Sequence, residues 1–116
     1  FEPHPNLHKS FTNSVNSNQL NNQIVPVNVA VGNSEGTLNI NLVSTTSNIN
    51  TINDENQKTK SKKVDIITLD NYVKKNNIDK CDLIKIDVDG IELDILTGSE
   101  KMIRKFQPII IVETNN

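Results

Sequence analysis

Tryptophan is absent from this chain, and cysteine, glycine and aromatic residues are scarce. The lone Cys81 excludes an internal disulfide framework and any cysteine-rich zinc site. It directly precedes the apolar run Leu83 to Ile86 and reads as a buried, inert thiol. Aromatic residues make up 3% of the chain, and no aromatic platform for stacking nucleic-acid bases can be assembled from them. A net charge of -2 supplies no electrostatic attraction for nucleic acid or an anionic membrane, so neither is an expected partner. There is no phosphate-cradling Gly-Lys-Ser/Thr and no Ser/His/Asp elbow. No apolar run is long enough for a transmembrane helix, and no signal peptide is apparent. Asparagine is abundant, yet no Asn-x-Ser/Thr sequon occurs. The expected location is therefore the cell interior, the cytoplasm.

What is present fits one modest domain in 116 residues. The apolar fraction is only 34%, but it is concentrated in short strand-like blocks. Pro5 suits the first turn of a helix whose apolar stripe is Leu7, Phe11 and Val15. Ile24 to Val31 alternates as a strand, with Pro26 confining it to an edge or a strand start. After turn residues 32 to 36 comes a second alternating strand, Thr37 to Val43, and the two are expected to pair antiparallel. Residues 44 to 63 form a long polar loop without periodicity. It carries the basic cluster Lys58, Lys60, Lys62 and Lys63 beside Asp54 and Glu55, which reads as solvated.

The remainder alternates between strand and helix. A strand is expected over Val64 to Leu69, then a helix capped by Thr68 and ended by Asn76-Asn77. The central strand is Leu83 to Val88, followed by a helix from Ile91 to Thr97. Gly98 interrupts, and Ser99 is expected to cap a second helical piece that Pro108 stops. Ile109 to Val112 is a continuous apolar run of the kind buried on both faces of a parallel sheet. The pattern predicts an α/β fold with a parallel sheet.

The most informative stretch is Asp82 to Glu92, where an apolar strand runs into Asp87, Asp89, Gly90 and Glu92. Ligands of open α/β sheets bind outside the carboxyl ends of the strands. Glu2, Asp87 and Glu113 each follow a strand or presumed strand and are expected on that one rim. An EF-hand is excluded, because aligning Gly90 with its glycine puts Lys85 and Leu96 at ligand positions. A carboxylate site for a magnesium-type cation, with Asp87 and Asp89 as weak candidates, and general-base work on a substrate hydroxyl both remain open. For Glu92 the simpler role is to cap and charge the helix start. Glu2 suits either the vicinal hydroxyls of a ribose or a helix N-terminus. His4 and His8, four residues apart, lack a third ligand for zinc.

Taken together, Phe1-Glu2-Pro3-His4-Pro5, Asn28 to Gly32 with Glu35-Gly36, Val64 to Asp70, Leu83 to Glu92 with Leu96 and Gly98, and Pro108 to Glu113 resemble the FkbM family of S-adenosylmethionine-dependent methyltransferases. The block Lys-Ile-Asp-Val-Asp-Gly-x-Glu is the most specific piece, and Asp89 stands where the family usually carries glutamate. The resemblance implies a class I, Rossmann-like methyltransferase fold and O-methylation of a hydroxyl on a sugar or other small molecule. It also implies that Glu2 holds the cofactor ribose, with Pro3, Asn6 and the Ala30-Val31 corner completing the cofactor set. Asp87 would face the methionine end or the acceptor, with Asp87 and then Glu113 as candidate bases. The family's first strand and glycine-rich loop lie upstream of Phe1, and its last strands lie beyond Asn116. The chain is thus expected to be the central part of a domain truncated at both ends, and to bind the cofactor poorly alone. A nicotinamide-dependent oxidoreductase and a non-catalytic module that keeps the fold are the alternatives.

Overall fold

The computed structural model describes residues 1–42 and 61–113. The expected loop between residues 44 and 60, Val43 and the last three residues lie outside them. Helix α1 spans Pro5–Ser17. Strands β1 (Ala30–Val31), β2 (Gly36–Asn41) and β3 (Ser61–Ile67) follow. Then come α2 (Leu69–Lys75), β4 (Leu83–Ile86), α3 (Glu92–Thr97), α4 (Glu100–Phe106) and β5 (Ile109–Val112). The chain divides into two compact units, Phe1–Ala30 with Thr37–Asp65, and Val31–Gly36 with Ile66–Asn116.

The architecture is mixed α/β, with two small sheets instead of one among the described residues. One sheet has the order β1-β3-β2 and the other pairs β4 with β5. The expected hairpin between the strands around Gly32–Gly36 does not form, because β3 lies between β1 and β2. The first strand is also far shorter than Ile24 to Val31. Pro26 has no N–H to donate, and Pro3 and Pro5 in the segment beside it have none either. The Glu2 N–H donates to Val27 O at 2.9 Å, and the Asn28 side-chain amide also joins these segments. Strand β3 starts three residues earlier than expected, so Lys62 and Lys63 belong to a strand. It stops before Leu69, where Thr68 turns from strand to cap, its Oγ1 accepting the Asn71 N–H at 3.2 Å.

In the first unit, Val15, Ile40, Val64 and Ala30 are buried. On α1, Leu7 is half-buried while Phe11, the middle of the expected stripe, stays exposed. The core of the second unit is Leu69, Ile86, Ile95 and Met102, with Val31, Val73, Ile84, Val112 and others packed against it. Helices α2 and α4 pack on each other. Asp70 makes that packing specific, because its carboxylate accepts the N–H groups of Met102 (2.8 Å) and Lys101 (3.1 Å). Asp70 thus caps α4 from another helix. Ser99, expected to be the cap, occupies the position but donates its hydroxyl to Ile95 O instead.

Gly98 is required by space. A Cβ there would stand 2.0 Å from Gly32 O and 3.2 Å from the Asn33 Cα. The loop holding Gly32 is itself anchored, through Gly32 N–H to Ile67 O, Asn33 to Asp94 and Asn71 to Glu35.

Strands β4 and β5 pair in parallel, as their apolar runs predict, with Ile84 opposite Ile110 and Ile86 opposite Val112. Burial of β5 on both faces is not observed. Ile109 is 67% exposed and Ile111 49%. Among the described residues β5 is hydrogen-bonded to β4 alone, and double burial needs a layer on each face.

Candidate active site

Asp87 and Glu113 are the first residues beyond β4 and β5, so the parallel register fixes where they stand. Ile86 is matched to Val112, and the Glu113 N–H donates to Ile86 O at 2.9 Å, carrying the ladder one step further. That places the two acids side by side at the carboxyl ends of adjacent strands. There each carboxyl shifts the titration of the other. Lys85 lies two residues before Asp87 in an extended chain, and such residues share a face. Its Nζ is 2.6 Å from Asp87 Oδ2.

The charges follow from these contacts. The Lys85 ammonium, and after it the Glu113 carboxyl, hold Asp87 below the usual carboxylate range. Glu113 is pushed above its ordinary value, first by its hydrogen bond to Asp87 and then by the charge on Asp87, with Asp89 adding to the effect. Lys85 is raised by Asp87. Neighbouring carboxyls make each other's ionisation costlier, and of the two it is Glu113 that is raised. The pair is open to solvent, with the Lys85 and Asp87 side chains 59% and 52% exposed, so salt screens it.

The chain then turns at Gly90, whose φ of +90° lies in the left-handed region that favours glycine. Glu92 Oε1 accepts the Gly90 N–H at 3.0 Å, which fixes the turn. Glu92 is thus the first residue of α3 and serves the backbone. Among the described residues no three His, Cys, Asp or Glu side chains gather in a group that could hold a metal ion.

The other expected residues lie around the start of α1 and at β1. Phe1 to Pro3 belong to no strand. Glu2 Oε1 accepts the His4 N–H at 2.8 Å, and the Glu2 and Pro3 carbonyls accept the Asn28 side-chain amide. His4 is 2% exposed and caps α1 through Nδ1, which accepts the Leu7 N–H at 3.4 Å. An accepting Nδ1 puts the proton of a neutral imidazole on Nε2. Asn6 is exposed in the first turn, Ala30 is buried and Val31 packs against the core of the second unit. The structure therefore brings Asp87 and Glu113 together, while Glu2, Pro3 and Asn6 belong to the other unit.

Sequence reasoning missed Lys85. The signal was available, as a cation two residues before an acid in a strand must lie on its side. It also missed Asp70 as a cap, and no local pattern reveals that, since its partners are 31 and 32 residues away.

No curated protein and no solved structure matches this chain. A family model, the methyltransferase FkbM domain, matches residues 1–116. With that match extending over the acid-bearing strand ends and over the Glu-Pro corner alike, the chain belongs to the FkbM methyltransferase family.

Proposed function

We propose that the protein moves the methyl group of S-adenosylmethionine to a hydroxyl oxygen of a sugar or another small molecule, with Asp87 as the general base. The observation that carries this reading is the Asp87 carboxylate, in contact with Lys85 and beside Glu113 at the ends of two parallel strands. Membership of a methyltransferase family supports it and leaves the oxidoreductase alternative without support.

S-adenosylmethionine, when bound, supplies a sulfonium methyl whose bond to sulfur breaks as the acceptor oxygen attacks in line. The work of this chain is to hold the oxygen and accept its proton. A base is effective when it is already deprotonated at the working pH and within hydrogen-bond reach of the hydroxyl. Asp87 meets the first condition, because the Lys85 charge keeps it ionised. It is a weak base for the same reason, so it serves by taking the proton as the new bond forms. Glu113, beside it at the end of the adjacent strand, is the second candidate for the same role.

The residues at the start of α1 suit a nucleoside. The His4 N–H holds the Glu2 carboxylate in place. A carboxylate so fixed accepts the vicinal hydroxyls of a ribose. Pro3, Asn6 and Val31 are proposed to complete the cofactor contacts. Ala30 is buried and contributes backbone alone.

Calorimetric titration of the full-length gene product with S-adenosylmethionine tests the reading. One-site binding heat is expected. Absence of heat would overturn it.

A further inference from the structure

We infer that Lys85 is a positioning residue, an ammonium whose contact with Asp87 makes Asp87, and not Glu113, the first of the two neighbouring carboxyls to ionise. The inference rests on the reading of Asp87 as the base in the proposed transfer. The strand geometry makes Asp87 and Glu113 near-equivalents, since each is the first residue past a parallel strand and their registers match. Nothing in that geometry alone says which should be charged. Lys85 breaks the symmetry. Its Nζ touches Asp87 Oδ2 at 2.6 Å, whereas it reaches Glu113 only through space.

The surrounding charges agree. Asp89 disfavours an anionic Glu113, and Glu92 is engaged with the Gly90 N–H. Lys80, the other lysine near this strand, is paired with Asp82 at 3.0 Å. Lys85 is therefore the cation that sets the order of the two carboxyls. On methyl transfer the acceptor hydroxyl gives its proton to Asp87, the oxygen keeps its electron pair for the new bond to carbon, and Asp87 later returns the proton to water. Without Lys85 the two carboxyls compete on near-equal terms for a proton as the pH falls.

Carboxyl-carbon NMR titration of the protein, with Asp87 and Glu113 assigned, reads this directly. In the unmodified chain Asp87 is expected to follow the lower titration step and Glu113 the upper one. In Lys85→Met each resonance is expected to report both steps. Lys85→Arg keeps the charge and is expected to retain the original order. Raising the salt of the unmodified protein to about 1 M, where the screening length is about 3 Å, should narrow the separation without any substitution. An order that survives intact in Lys85→Met, is lost equally in Lys85→Arg, or ignores salt overturns the assignment. The titration needs no turnover. A protein that loses its order in Lys85→Met yet transfers no methyl group supports the role of Lys85 and sinks only the proposed reaction.

Discussion

The start of α1 and the strand ends at β4 and β5 both present acids, and they use them differently. Glu2 serves the backbone, its carboxylate accepting the His4 N–H where the chain enters a helix. Asp87 is paired with Lys85, and these ionisable neighbours shift the titration of both Asp87 and Glu113. An acid bonded to the backbone is fixed in place, which suits holding a ligand. An acid bonded to other ionisable groups has its protonation set, which suits moving a proton. The difference is not simply one of region, because Asp70 and Glu92, in the same unit as Asp87, serve the backbone as Glu2 does.

Four substitutions break or sharpen this contrast. The largest effect is expected at Gly98, where the chain between α3 and α4 passes the Gly32 carbonyl. Gly98→Ala drives a methyl group into the Gly32 carbonyl, and backbone cannot yield as a flexible side chain can. A loss of about 3 kcal/mol, the upper end for overpacking, should appear in the urea midpoint. Glu2→Gln comes next. It keeps an oxygen for the His4 N–H and so spares stability, but it removes the charge offered to the ribose. S-adenosylmethionine affinity should fall about 10- to 100-fold by calorimetry, the range for a hydrogen bond to a charged group. Asp70→Ala removes the cap of α4 and should cost about 1 kcal/mol of thermal stability without altering cofactor binding.

The smallest effect is the pH slope set by Glu113. A raised carboxyl binds its proton more tightly in the folded state, so its contribution is present below the ordinary value of 4.5 and is lost as pH rises through the raised one. Asp87, being lowered, contributes in the opposite sense, with stability lost as pH falls through its lowered value. Melting temperature should therefore decline as pH climbs above about 4.5 in the native chain. In Glu113→Gln that decline should vanish while the acid-side loss remains.

Much of this was legible in the sequence where local chemistry decides. Thr68 as a cap, Pro5 at a helix start, Gly98 as a break and the parallel pairing of two apolar runs each depend on residues within a few positions or on hydrophobicity alone. That Asp87 and Glu113 stand at the same end of adjacent strands followed from the parallel arrangement of the two apolar runs. What was not legible depended on distant partners. The insertion of β3 between β1 and β2 joins segments separated by a long polar stretch. The capping of α4 by Asp70 rather than Ser99 is set by how two helices pack. The exposure of Ile109 and Ile111 reflects the number of neighbouring strands, which an apolar run cannot state.

The claim that matters most is that Asp87 takes the proton of the methylated hydroxyl. Transfer of a radiolabelled methyl group from S-adenosylmethionine to saccharide hydroxyls, by the full-length gene product and its Asp87→Asn variant, tests it. Asparagine keeps the shape and removes the base. The variant should lose about 100- to 10,000-fold in kcat, the usual weight of general-base catalysis, while its binding heat for the cofactor persists. Wild-type turnover by Asp87→Asn would contradict the account.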